Sequence, residues 1–170
     1  ANLPSSVSFT YDSNGNLTSD GLRSFDYDDE NRLTRIALTN NWKTEFIYDG
    51  LGRRRVRNEY LWFNGAWAWN LTIEYVYDGA VVVHERGGGD EPAVNYTRGL
   101  DASGSPQGAG GIGGLLARSQ DVSGVARHDY YHADGNGNVT ALINANQVVS
   151  ARYLYDPYGN LLASSGGMAD

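Results

Sequence analysis

The stretch Phe9-Thr-Tyr11-Asp12-Ser-Asn-Gly15-Asn16-Leu17 decides how the chain is read, because it returns. Phe25-x-Tyr27-Asp28-x-x-Asn31-Arg32-Leu33 repeats it, and Phe46-x-Tyr48-Asp49-x-x-Gly52-Arg53 does so with Arg54 in the leucine position. Tyr75-x-Tyr77-Asp78-Gly79 is a clipped copy. Tyr131-x-Ala133-Asp134-x-x-Gly137-Asn138-Val139 and Tyr153-x-Tyr155-Asp156-x-x-Gly159-Asn160-Leu161 complete the series. Counted at the second aromatic position, the copies are spaced by 16, 21, 29, 56 and 22 residues. The long interval has room for two degenerate copies, one of them near Tyr96. A repeat of this kind sets the architecture before any single element is assigned.

Each part of the repeat has a physical job. Aromatic-x-Tyr puts two rings on one face of a strand, since side chains alternate with period two. Asp ends the strand, because its carboxylate can accept from backbone N–H groups two residues on and nucleate a turn. Gly or Asn supplies the positive φ that the turn needs. Leu or Val starts the next strand. The repeat is therefore a hairpin, and strands bounded by turn residues are expected over 7–11, 22–27, 33–38, 43–48, 53–63, 66–77, 81–86, 94–98, 115–119, 127–132, 139–143 and 148–155. Asn64-Gly65, between Tyr60-Leu-Trp-Phe and Ala-Trp-Ala-Trp, is a two-residue hairpin signal. No helix is expected. The fold class is all-β: a repeat-derived antiparallel meander of hairpins, curled or partly closed into a barrel-like sheet, which would hide the edges that make open sheets aggregate.

The 170 residues suit one domain, 1–170, large enough for a core without staples. There is no cysteine, so disulfides, thiolate metal sites and thiol nucleophiles are excluded. Thirteen basic against twenty acidic residues give a net charge of −7, which argues against a surface that tracks phosphates. The run Arg53-Arg54-Arg55 with Arg57 is too short to reverse that. No apolar stretch approaches the ~18 residues of a membrane-spanning helix. Neither nucleic acid nor a membrane span is expected. Residues 99–114, seven glycines in sixteen, read as a surface loop or hinge. They lack the Lys-Ser/Thr of a phosphate-binding loop and the helix of a dinucleotide fingerprint. The small-residue stretch 163–170 reads as a flexible tail, and both ends read as the borders of a processed or excised piece.

The repeated Tyr-Asp-x-x-Gly-Asn/Arg-Leu motif resembles the YD repeat of the RHS/YD family. The segments Tyr130 to Val139 and Tyr153 to Leu161 resemble its RHS-associated core, and Tyr96-Thr-Arg-Gly-Leu-Asp101 with the glycine loop is similar to sequence just ahead of that core. The resemblance covers nearly the whole chain. It implies a large bacterial exported or surface protein, hence an extracellular or cell-surface setting, whose repeats form a long β-sheet spiralling into a hollow shell around a C-terminal toxin. A chain of this length covers only part of such a shell. The aspartate region of self-cleavage and the toxin lie beyond what these residues match, so Asp156-Pro157 receives no cleavage role. The function implied is structural and interaction scaffolding, with no cofactor.

Some residues are not explained by the repeat. Trp42, Trp62, Trp67 and Trp69, with Tyr60 and Phe63, form an aromatic concentration around Asn64-Gly65. Exposed, these indoles would make a binding platform for sugars; packed across the hairpin, they would stabilise it by about 0.2–1 kcal/mol per pair. Glu45, Glu59, Glu74 and Glu85 are the candidates for an acid–base pair, which glycoside hydrolysis needs at about 5–9.5 Å separation. The alternative to scaffolding is thus a carbohydrate-active module with a polysaccharide as partner; a further one is capture of a protein segment at a strand edge. His128, Asp129, His132 and Asp134 are the one imidazole–carboxylate concentration. His128 and His132 fall about 13 Å apart on one strand face at ~3.3 Å per residue, too far to share a metal. Asp12-x-Asn14-x-Asn16 and Asp134-x-Asn136-x-Asn138 begin like a calcium loop but lack the glycine and the acid that complete one. No metal site is assigned.

Overall fold

In the computed structural model the repeat closes on its aspartate, and the same turn recurs almost atom for atom. At Asp12, Asp28, Asp49, Asp134 and Asp156 the Oδ1 oxygen accepts the N–H groups of residues i+2 and i+4 at 2.8–3.1 Å. The Oδ2 oxygen takes the side chain of residue i+4: Asn16, Arg32, Arg53, Asn138 or Asn160 at 2.7–2.9 Å. This explains why Asn and Arg share that position, as both present an N–H at the reach of the second oxygen. The aspartate carbonyl accepts from residue i+3, and its own N–H donates to the i+4 carbonyl. Residue i+3 must then take positive φ, from +60° at Asn31 to +88° at Gly15. That is glycine territory, and asparagine tolerates it.

The structure describes residues 8–89, 92–122 and 125–169. The strands are β1 (Thr10–Tyr11), β2 (Leu17–Ser19), β3 (Arg23–Tyr27), β4 (Leu33–Leu38), β5 (Trp42–Tyr48), β6 (Arg54–Phe63), β7 (Ala66–Asp78) and β8 (Val81–Gly87). They continue as β9 (Pro92–Arg98), β10 (Leu115–Val122), β11 (Val125–Ala133), β12 (Val139–Asn144), β13 (Val149–Tyr155) and β14 (Leu161–Ser165). Their order in the sheet is their order in the chain, with β1 and β14 at its two ends. The all-β meander of hairpins is what the repeat builds, and the sheet is open. Val7, expected at the start of the first strand, lies outside the described residues. The chain divides into two compact halves, one running to Glu74 and one from Tyr75.

Register repeats as faithfully as the turn. The second aromatic position pairs with the residue six further on: Tyr11 with Leu17, Tyr27 with Leu33, Tyr48 with Arg54, Ala133 with Val139 and Tyr155 with Leu161. A register shift sits immediately before the second aromatic position each time. These bulges let a five-residue loop close a hairpin while keeping the aromatic ladder on its face. Two strands missing from the expected set, β2 and β14, both begin at the leucine that ends a repeat. For β14 this corrects the flexible-tail reading: Ala163, Ser164 and Ser165 pair with Leu154, Tyr153 and Arg152. The last residue, Asp170, lies outside the described residues.

Two turns that the motif does not spell obey the same geometry. Asn144 accepts the N–H groups of Asn146 and Val148, Gln147 has a φ of +63°, and Ile143 pairs with Val149. Here Asn replaces Asp and Gln replaces Gly. At Asp101 the N–H donates to the Ser105 carbonyl, Gly104 donates back, and Ser103 caps Oδ1. This is a degenerate copy inside the long interval. Neighbouring turns also touch: Asn31 Oδ1 accepts from Asn16 at 2.7 Å, and the Arg32 guanidinium lies 5.1 Å from the Tyr48 ring centre.

The turn donors hold these carboxylates below the usual carboxylate range: foremost the Asn side-chain amide at Asp12, Asp134 and Asp156, and the Arg32 N–H at Asp28. At Asp49 the largest effect is partial burial, which raises the pKa, and the Arg53 and Leu51 donors outweigh it. Asp20 is lowered to about 2, chiefly by the Arg23 N–H. A carboxyl depressed by folding stabilises the folded state above its unfolded pKa of about 3.9, and the contribution disappears as pH falls through the folded value. Urea midpoints followed by tryptophan fluorescence should therefore be level from pH 7 to about 5 and drop steeply between about 4 and 2.

Candidate functional site

Alternation and register decide which of the candidate side chains meet. Trp62 pairs with Trp67 across the Asn64-Gly65 turn, whose φ values of +49° and +82° give the expected two-residue hairpin. Their ring centres are 4.9 Å apart at 75°, an edge-to-face contact. Tyr60 pairs with Trp69 and with Lys43, which puts Lys43, Tyr60, Trp62, Trp67 and Trp69 on one face. Lys43 Nζ sits 4.3 Å from the Tyr60 ring centre and 5.7 Å from that of Trp67, and donates to Glu45 at 2.5 Å. Trp69 is 63% exposed and donates its indole N–H to Thr72 at 2.9 Å. Trp42 pairs with Leu61 and so lies on the opposite face from the other three indoles.

The glutamates are divided by the same rule. Glu45 pairs with Asn58 and Glu74 with Val56, so these two share a face. They stand two strands and two positions apart, roughly 12 Å at ~4.8 Å per strand and ~3.3 Å per residue. Glu59, opposite Thr44, points to the other face and pairs with Arg57 at 3.1 Å. Glu85, in the second half of the chain, accepts from the Tyr96 hydroxyl at 2.9 Å.

The second half carries the loop and the histidines. His84, His128 and His132 bond through Nδ1 to Asn95, Ser119 and Thr140 on neighbouring strands, at 2.5, 2.8 and 2.6 Å. Asp129 follows His128 and therefore turns to the other face. There it is fully buried, 3.2 Å from Arg127 and bonded to the Ser150 hydroxyl at 3.0 Å. Among the described residues no three His, Asp or Glu side chains converge as a metal cage. In the Asp-x-Asn-x-Asn segments both aspartate oxygens are taken by their own turn.

The glycine loop reads differently in three dimensions. Its backbone N–H groups do converge on an anion, and that anion is Asp101, buried at 6% exposure. Asp101 Oδ2 accepts from Ala109 at 2.6 Å and Gly111 at 3.1 Å, while Oδ1 takes the Ser103 N–H and hydroxyl. These donors, the Ser103 hydroxyl foremost, lower its pKa to about 2. The loop then packs on the Asp134 turn so closely that a Cβ on Gly137 would lie 3.0 Å from the Gly113 nitrogen. The place an external anion would take in this glycine-rich loop is filled by the chain's own carboxylate.

Comparison with known proteins follows the repeat. The family model RHS Repeat matches residues 27–59, so the chain carries the RHS repeat that its Tyr-Asp motifs resemble. The tRNA3(Ser)-specific nuclease WapA of Bacillus spizizenii is 29% identical over 157 residues, covering 90% of this chain and 6% of that protein. The tRNA nuclease WapA of Bacillus subtilis (strain 168) is 27% identical over the same length. Among solved structures, a TcdB2-TccC3-TEV crystal structure superposes at a TM-score of 0.64 with 12% identity, over 94% of this chain and 8% of that one. The Tc holotoxin pore of Photorhabdus luminescens gives 0.60 at 12% identity, over 92% and 7%. The chain thus spans a small fraction of each relative, and at such identity the solved structures share the fold.

Two outcomes test this description. Asp101→Ala should release the loop, raising amide exchange at Ala109 and Gly111 by roughly an order of magnitude or more while the β5–β7 amides stay protected. Trp62→Ala should remove the near-UV signal of the indole pair and destabilise the hairpin by about 0.5–1.5 kcal/mol beyond the lost area.

Proposed function

We propose that this chain is a wall segment of an RHS/YD-repeat shell, with a structural and interaction role. The observation that carries the reading is where its polar groups go. Asp12, Asp28, Asp49, Asp134 and Asp156 close turns together with Asn16, Arg32, Arg53, Asn138 and Asn160, and Asn31 and Arg32 reach neighbouring turns. A sheet that adds one hairpin per repeat, in chain order and open at both ends, is the form of a surface extended by repetition. The Tc-toxin structures of like fold support the same reading and favour a protein segment as partner. The family resemblance supports an exported or cell-surface setting.

The WapA relatives are named as tRNA nucleases, and this chain spans 6% of their length. In our reading the cleaving chemistry belongs to other parts of such proteins. The net charge of −7 disfavours a phosphate-tracking surface here, and each histidine is tied to a neighbouring strand. The carbohydrate reading rests on the exposed Trp69 beside the Trp62–Trp67 pair.

Incubating the purified chain with total tRNA and with a panel of polysaccharides separates these readings. The expected result is intact tRNA, no reducing sugar released and no retention on any glycan. Cleavage of tRNA that disappears with a His128→Ala or His132→Ala variant would overturn the wall reading in favour of a nuclease. Glycan hydrolysis lost on replacing Glu45, Glu59, Glu74 or Glu85 by Gln, or retention lost in Trp69→Ala, would replace it with the carbohydrate-active one.

A further inference from the structure

One row of side chains across the last four strands is not used by any turn. His132 pairs with Ala141, Ala141 with Arg152, and Arg152 with Ser165. Directly paired residues share a face, so this row crosses β11, β12, β13 and β14 on one side of the sheet. Ala141 carries only a methyl group between an imidazole and a guanidinium, and the surface drops there. The result is a concavity of about 540 Å³ lined by His132, Thr140, Arg152, Leu154, Ala163 and Ser165 among others. Among the described residues no carboxylate lines it.

Arg152 distinguishes this hollow from the rest of the surface. The other lysine and arginine side chains each have an interaction, for all but Arg86 with a carboxylate, a hydrogen-bond acceptor or an aromatic ring. Among the described residues Arg152 has no such partner, in a chain with an excess of acids. An exposed guanidinium offers a planar fork of N–H donors that matches an oxyanion with two parallel bonds. The Ser165 hydroxyl, opposite Arg152 in register, supplies a further donor. Leu154 and Ala163 give an apolar wall beside them, as ligand-binding hollows commonly have.

We propose that this concavity binds a small molecule bearing one oxyanion, a phosphate monoester or a carboxylate, with the anion on Arg152 and its apolar part against Leu154 and Ala163. The site is independent of the wall reading, since it depends on one row of residues alone. Nitrogen-15-labelled protein at low salt, titrated with phenyl phosphate, benzoate and uncharged phenol, tests it. Saturable shifts at Arg152 and Ser165 are expected for at least one anion and absent with phenol, and the stronger anion identifies the ligand chemistry. Arg152→Gln should weaken that binding by about tenfold or more. Arg35→Gln, whose guanidinium is already held by Asp26, should leave it unchanged. Because Arg152 is exposed and unpaired, its variant should melt at the wild-type temperature, which separates lost binding from lost fold. Absence of saturable shifts with both anions, equal binding in Arg152→Gln, or equal shifts with phenol would overturn the proposal.

Discussion

The constraint on which the rest depends is the hydrogen-bonding capacity of one carboxylate. An aspartate at the end of a strand can accept about four N–H groups, and in this chain it accepts three of them from its own turn. Two come from the backbone ahead and one from the side chain four residues on. Satisfying them forces residue i+3 into positive φ and sets the chain running back antiparallel. It also places the following leucine or valine opposite the second aromatic. Turn, register and bulge are therefore one event, and repetition of that event produces the sheet.

That economy has a consequence for chemistry. Groups that look reactive in composition, such as Asp-x-Asn-x-Asn or a glycine-rich loop around an aspartate, are already coordinating backbone amides. The glycine loop is the plainest instance, since the carboxylate of Asp101 occupies the position an external anion would take. The strand residues are constrained by alternation in the same way. Trp42 is parted from Trp62, Trp67 and Trp69, Glu59 from Glu45 and Glu74, and Asp129 from His128. Among the described residues, the exposed ring of Trp69 and the unpartnered Arg152 above the hollow at Ala141 stand outside this economy.

Much of the fold was legible because the repeat writes its turn chemistry in order. Aromatic-x-Tyr-Asp, then Gly or Asn, then Leu or Val names the strand, its stop, the sign of φ and the restart. Where the letters change and the geometry does not, reading failed. Asn144 and Gln147 make the same turn as Asp and Gly, since an amide oxygen can accept the same N–H groups and Gln147 takes the left-handed conformation there. Strand β14 was missed because Leu-Leu-Ala-Ser-Ser has small-residue composition, and its pairing with β13 is decided by the Asp156 turn upstream. Candidate sites were less legible still, because facing depends on register across strands far apart in sequence.

The sequence by itself determined the class of fold, the hairpin as its repeating part, and the residues that terminate and reverse each strand. These are local matters, set within about six residues by one carboxylate and one positive φ. Only the tertiary structure decided which side chains share a face, that the glycine loop closes on Asp101, and that His132, Ala141, Arg152 and Ser165 line up across four strands. The physical reason is that the last row joins residues 33 positions apart. Pairing register, shifted by a bulge at each turn, selects the members of such a row, and no local preference encodes that choice.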